Sequence, residues 1–248
     1  MASRLKIPCI AMQTLLTLLL FSGCLPRAVV PLRTLEYDLA PGASKLVVFL
    51  PGRGERISLI EERGLFDEIR RRGYDVIVAD LHLGYYADGS FLTRLREDVL
   101  LPARRKGYSN IWLVGNSLGG NGSLFFIREH PDEVDGVILL GPFLGERELI
   151  DEILAAGGVA RWRPGKTGQK DYIRALWGWI RNMPEEAPPV FLCYGISDRF
   201  ALSQELLGSV LPPERVVSVA GGHDWKSWKK AWDVLFSRAE DNLYPPLP

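Results

Sequence analysis

Cysteine and histidine are both scarce in this sequence, three of each among 248 residues, and 30 basic residues are balanced by 30 acidic ones. Three cysteines cannot build a disulfide scaffold. A net charge of zero argues against a broad nucleic-acid surface, whose affinity would rest on massed Lys and Arg. Metal-site spacing is missing too, because no paired histidines stand with a carboxylate at ligand spacing. Residues 51–56 (PGRGER) lack the terminal G-K-[ST] of a phosphate-binding loop, and no G-x-G-x-x-G follows the first strand-like run. Neither a metal nor a cofactor is therefore expected. What is present is a chain that is 47% hydrophobic. That is too apolar for disorder, and the length suits one α/β-sized domain, or one domain with a small appendage.

The first 23 residues read as an export signal and not as fold. Arg4 and Lys6 make a short positive start, and residues 7–26 then carry no charge, with an apolar centre at Leu15–Phe21. The end of this run, Phe21-Ser22-Gly23-Cys24, resembles the lipobox of bacterial lipoproteins. That resemblance implies cleavage before Cys24 and lipidation of its thiol, with ordinary secretion or a retained membrane helix as alternatives. Leu25 follows, so the resemblance implies anchoring at the periplasmic face of the outer membrane; a soluble periplasmic or secreted protein is the alternative. Residues 24–32 are then a linker, 33–240 the folded domain and 241–248 a tail. Cys193, inside the apolar run VFLCY, reads as a small core residue.

The body of the chain alternates strand-like and helix-like segments. Continuous apolar runs at 45–50, 74–80, 111–115, 135–141, 189–195 and 215–222 have the pattern of parallel strands buried on both faces. Helical periodicity is expected over 58–72, 91–106, 118–130, 202–209 and from Trp225 to Ala239, and residues 33–39 suit an edge strand. This rhythm predicts a mostly parallel, doubly wound α/β sheet flanked by helices. One block interrupts it. Residues 142–188 contain Trp162, Trp177 and Trp179 around expected helices at 146–156 and 169–180. They read as a small cap over the crevice at the strands' carboxyl ends, or alternatively as a long crossover packed beside the sheet.

The chemistry concentrates at Gly115-Asn116-Ser117-Leu118-Gly119, a G-x-S-x-G sequence between an expected strand and an expected helix. A strand that turns at once into a helix forces the serine to φ > 0, and small neighbours let the chain pass. A serine hydroxyl needs a base. His130 ends the following helix and reads as a cap. His82 stands after a strand and precedes the serine, which leaves it a site-lining role. His223, in Gly221-Gly222-His223-Asp224-Trp225, lies on a loop between the last strand and the last helix, where it can reach the serine. Asp198, in GISDRF, is the candidate carboxylate to orient the imidazole, with a turn or N-cap role as its alternative; Asp224 reads as the cap of the last helix.

The order Ser117, Asp198, His223 and the pieces GNSLGG, GISD and GGHDW resemble the α/β-hydrolase superfamily over residues 33–240. The last piece resembles the histidine segment of bacterial esterase-type members. The resemblance implies a serine hydrolase that cleaves carboxylic esters through an acyl-enzyme. A thioesterase, lipase or amidase on the same residues is an alternative, and so is a catalytically inactive hydrolase-like binding lipoprotein. It also implies an oxyanion hole from the Leu118 N–H and the Arg53 N–H, with Gly52 the near alternative to Arg53. Serine at the elbow, where dehalogenases and epoxide hydrolases have aspartate, directs the chemistry to acyl transfer.

Tyr85, Tyr86, Trp162 and Trp177 are expected to line the substrate pocket. The Arg53 side chain is expected either to meet a substrate anion or to pair with Glu55 or Asp80. Trp225, Trp228 and Trp232 follow i, i+3, i+7 and read as one buried helix face. KSWKK (226–230) is a short basic patch compatible with anionic headgroups. The expected partners are a small-molecule or lipid-like ester and a membrane reached through the anchor, with no obligate protein partner.

Overall fold

Seven short runs of β-branched and large apolar residues pair into one sheet of order β1-β3-β2-β4-β5-β6-β7 in the computed structural model. The structure describes residues 26–37, 42–166, 168 and 171–240. The expected signal segment 1–23, Cys24 and the expected tail 241–248 lie outside the described residues. The strands are β1 (Thr34–Tyr37), β2 (Lys45–Leu50), β3 (Asp75–Ala79), β4 (Asn110–Asn116), β5 (Gly136–Leu140), β6 (Val190–Gly195) and β7 (Val216–Val219). All adjacent pairs are parallel except β1 with β3, which is antiparallel at the sheet edge. The architecture is the mostly parallel, helix-flanked α/β sheet that the strand rhythm predicts.

Alternate residues of each strand feed the two faces. Leu46, Val48, Ile111, Leu113, Val137 and Leu139 join one core cluster, and Val47, Phe49, Trp112, Val114, Ile138 and Leu140 the other. Both faces are dry, which is why these strands read as unbroken apolar runs. On the second face lie α1 (Phe66–Arg71) and, at the end of the chain, α9 (Trp225–Glu240). The first face carries α2 (Leu83–Ala87), α3 (Phe91–Leu95), a π-turn at Arg96–Leu100, α4 (Leu101–Arg105), α5 (Leu118–Glu129), α6 (Arg147–Ala155), α7 (Tyr172–Arg181) and α8 (Ala201–Gly208). Among the described residues, no helix is long and apolar enough to cross a membrane.

The structure departs from the expected elements in three places. The single helix expected over 58–72 is two 3-10 turns, Ile57–Leu59 and Glu61–Arg63, followed by α1. Gly64 takes a left-handed φ of 71° between them and ends the first stretch. The helix expected over 91–106 contains the π-turn just before Pro102, a residue with no N–H to donate to the helix. The short α2 has no counterpart in the sequence reading. His82 caps it, its Nδ1 accepting from Gly84 N at 3.2 Å.

The segment from Pro26 into β1 is clasped to the first face. Tyr85 Oη accepts from Val29 N at 3.0 Å and donates to Val29 O at 2.9 Å, and Asp98 accepts from Leu32 N at 2.8 Å. The 142–188 block packs against the same core through Ile150, Ile153, Trp162, Leu176 and Trp177. Glu152 ties its two helices together, accepting from Trp162 Nε1 at 2.8 Å and from Arg174 through two bonds of 2.6 Å.

Candidate active site

Ser117 occupies the abrupt step from β4 into α5 at φ 48°, ψ −110°, and it is the one non-glycine residue with positive φ among those described. Such backbone costs on the order of 1–3 kcal/mol and persists only where its surroundings over-determine it. Here Ser117 N donates to Leu140 O at 2.9 Å, while Ser117 O accepts from Asn121 N at 3.2 Å and Phe143 N at 3.0 Å. The flanking glycines are steric requirements. A Cβ at Gly115 would stand 2.4 Å from Gly119 O, and one at Gly119 would stand 1.9 Å from Leu50 O.

The turn lifts Ser117 Oγ into line with two residues from distant loops. His223 Nε2 is 3.0 Å from Ser117 Oγ, and His223 Nδ1 is 2.7 Å from Asp198 Oδ2. Asp198 follows β6 and its side chain is wholly buried. It is held from several sides: Phe200 N donates to Oδ1 at 2.8 Å and Gln204 Nε2 to Oδ2 at 3.2 Å. The imidazole stands edge-on between Phe200 and Trp228, with centroids at 5.0 and 4.9 Å and both interplanar angles 88°. Asp224 caps α9, accepting from Ser227 N at 2.9 Å and Ser227 Oγ at 3.0 Å, and these bonds hold its carboxyl below the usual carboxylate range. The loop carrying His223 is thus fastened on both sides of the ring.

Opposite the serine lies the loop after β2. Gly52 N donates to Asn116 Oδ1 at 2.8 Å, and Glu55 N closes a turn onto Gly52 O at 3.2 Å. Gly52 N–H is therefore taken, which removes it as the alternative to Arg53. Arg53 is exposed beside the serine and does not form the expected ion pair. Asp80 pairs with Arg33 at 2.9 Å, and Glu55 accepts from Trp225 Nε1 at 2.9 Å. Leu118 N–H is the first of α5 and has no acceptor within the helix.

These groups open into a cavity of about 1160 Å³ that collects residues following β2, β4, β5, β6 and β7. That is the crevice at the carboxyl ends of the strands. Ser117, Leu118, Arg53, His223 and Tyr86 all line it. Tyr85, Trp162 and Trp177 do not. Tyr85 is turned away to hold Val29, and both indoles are buried in the core with their N–H groups bonded to Glu152 and to Leu144 O. The 142–188 block supplies Phe143, Glu146, Tyr172 and Ile173 to the wall in their place.

Trp225 and Trp228 line the cavity while Trp232 stays in the core, so the tryptophan face serves both. Sequence reasoning missed Asn116, Asn121, Phe125, Phe91 and Gln204. Phe91 and Phe125 were visible as helix residues, but no local signal marks a buried amide. Among the described residues no group of three or more His, Cys, Asp or Glu is arranged to hold a metal.

A family model described as the alpha/beta hydrolase fold matches residues 45–176. No curated protein matches the chain significantly. Similar solved structures include MGS-MChE2, an alpha/beta hydrolase from a sediment metagenome of the Mar Chica lagoon, Morocco. It is 21% identical at TM-score 0.56, covering 89% of this chain and 99% of that one. Est1E from Butyrivibrio proteoclasticus is 14% identical at TM-score 0.59, covering 85% and 93%. FphF, a fluorophosphonate-binding serine hydrolase of Staphylococcus aureus, is 14% identical at TM-score 0.59, covering 84% and 97%. With a family match over more than half of the sequence and a serine at the strand-to-helix elbow of this sheet, the chain belongs to the α/β-hydrolase fold family.

Proposed function

We propose that the protein is a serine hydrolase that cleaves carboxylic esters through an acyl-enzyme, with Ser117 as nucleophile, His223 as base and Asp198 as the carboxylate that orients it. One observation carries the reading. An unbroken hydrogen-bonded line, 3.0 Å and 2.7 Å long, joins the hydroxyl of the strained elbow to a buried carboxylate through one imidazole. Asp198, accepting at Nδ1, leaves Nε2 as the basic nitrogen facing Ser117.

As Oγ attacks the ester carbonyl carbon, its proton passes to His223 Nε2 and the carbonyl electron pair moves onto oxygen. The Leu118 and Arg53 N–H groups face that oxyanion, aided by the positive end of α5. Collapse breaks the carbon–oxygen bond to the alcohol, which leaves with the imidazolium proton. Water then gives its proton to His223 and attacks the acyl-enzyme, releasing the acid and restoring Ser117. Residues 142–188 act as the cap over this site. Residues 1–23 direct export, and Cys24 carries the anchor at the periplasmic face of the outer membrane.

A fluorophosphonate probe should label the protein, and Ser117→Ala should abolish labelling; undiminished labelling of that variant overturns the nucleophile assignment. Rates on matched p-nitrophenyl esters, thioesters and anilides then separate esterase from thioesterase or amidase. Detergent partitioning that Cys24→Ser leaves unaltered rules out the anchor.

A further inference from the structure

The cavity continues away from Ser117 along one face of α5. Ser117, Asn121, Phe125 and Arg128 all line it, and their spacing puts them in a row on successive turns. Asn121 is about 6 Å from Ser117 along the helix axis. It is 3% exposed, and its Nδ2 has no hydrogen-bond partner. An amide in such a place usually finds a protein partner, so an orphan at a ligand cavity calls for an explanation. At the far end of the row, Arg128 Nη1 is also buried without a partner, while Nε and Nη2 hold Glu129.

The walls around Asn121 are aromatic. Tyr86 and Phe91 stack at 4.5 Å and 16°, and Phe91 meets Phe125 edge-on at 6.1 Å and 80°. Across the cavity Phe143 and Phe200 cross at 5.3 Å and 72°. Faces and edges presented from both sides suit a flat ring, which gains contacts here beyond its buried area. A plain alkyl chain would fill the same space but give the Asn121 amide no hydrogen-bond partner.

Resting on the hydrolase reading above, we propose that the α5 trench binds an aromatic group of the ester that carries a ring oxygen, which Asn121 hydrogen-bonds. A hydroxyl suits the site because a carboxamide both donates and accepts. Asn121 is a specificity residue in this scheme and takes no part in bond making.

The test compares methyl 4-hydroxybenzoate with methyl benzoate, and 4-hydroxybenzyl acetate with benzyl acetate, so that the ring lies on either side of the ester. The hydroxylated member of one pair should be preferred in kcat/KM by about tenfold, the worth of one hydrogen bond. In Asn121→Leu and Asn121→Ala that ratio should fall towards one. A ratio near one in the natural protein overturns the proposal, and so does a preference that both substitutions leave intact. The same pairs are titrated calorimetrically against Ser117→Ala, which separates this inference from the catalytic one. Discrimination in binding without turnover keeps the trench and sinks the hydrolase, whereas equal binding of the pair, or none, sinks the trench.

Discussion

Removing the Asn116 carboxamide takes the acceptor from Gly52 N–H, and the loop presenting Arg53 loses its tie to the elbow. A preorganised donor acts because it need not move as charge develops, and deleting one outright costs about a hundredfold or more in kcat. A loosened donor loses part of that. Asn116→Ala is expected to lower kcat by about tenfold to a hundredfold while KM changes little, since the loss falls on the transition state. Steady-state kinetics on one p-nitrophenyl ester measures the split, and a rise in KM with kcat intact shows that Asn116 serves the substrate instead. This bond spans 64 positions in the chain. Neither Asn116 nor Gly52 carries a local mark of it, so the elbow could be read from the sequence but its link to the facing loop could not. Ser117 was legible because steric need puts glycines beside it, and His223 because its loop lies between the last strand and the last helix. Asp198 was legible by its place after a strand, while Gln204, its backing donor, is one more polar residue on a helix.

At the scale of elements, the strands were the easiest to read because both faces of the sheet are buried, so the inner strands are apolar at nearly every position. Helices were read well where they are long and one-sided, as in α9, and α5, buried nearly all round, was read from the strand and serine turn before it. The five-residue α2 has no room for periodicity, and the Gly64 break lies inside a pattern that continues past it. The tryptophans of the 142–188 block show how a compositional signal can mislead. Large aromatic groups near a crevice suggested pocket lining, yet Trp162 and Trp177 instead hold the block to the domain.

Glu152 is the hub of that attachment. Arg174 and Trp162 hold its carboxyl down to about 2 from the ordinary 4.5. A depressed carboxylate pKa stabilises the fold fully above pH 4.5, and the contribution fades as pH falls towards 2. The side chain is 44% exposed, so solvent screening limits the effect to about 1 kcal/mol at neutral pH. Glu152→Gln should therefore melt a few degrees lower at pH 7, and the gap should narrow as pH drops from 4.5 to 2.5. A gap independent of pH assigns the loss to packing and not to charge.

At the scale of the whole molecule, the fold leaves one thiol inside the sheet among the described residues. Cys193 is fully buried in β6, and burial pushes its thiol up to about 12. A buried, protonated thiol reacts only when the core opens. In a Cys9→Ser, Cys24→Ser protein, Ellman's reagent should find no reactive thiol in buffer and one in denaturant. Fast reaction in buffer means that the β6 region opens without global unfolding.

The clasp between Val29 and Tyr85 has a further consequence for how the molecule meets a surface. Pro26 O lies close against Gly84 of α2, and Leu83, Tyr86 and Ala87 of that short helix line the cavity. Cys24 lies two residues upstream, a leash of about 7 Å when fully extended. If Cys24 carries the proposed lipid, a domain on so short a leash cannot tumble beneath that attachment point. A lipid on Cys24 would hold the α2 side of the catalytic crevice facing the bilayer, and extending the 24–26 leash with a flexible insert would release that orientation without touching the chemistry.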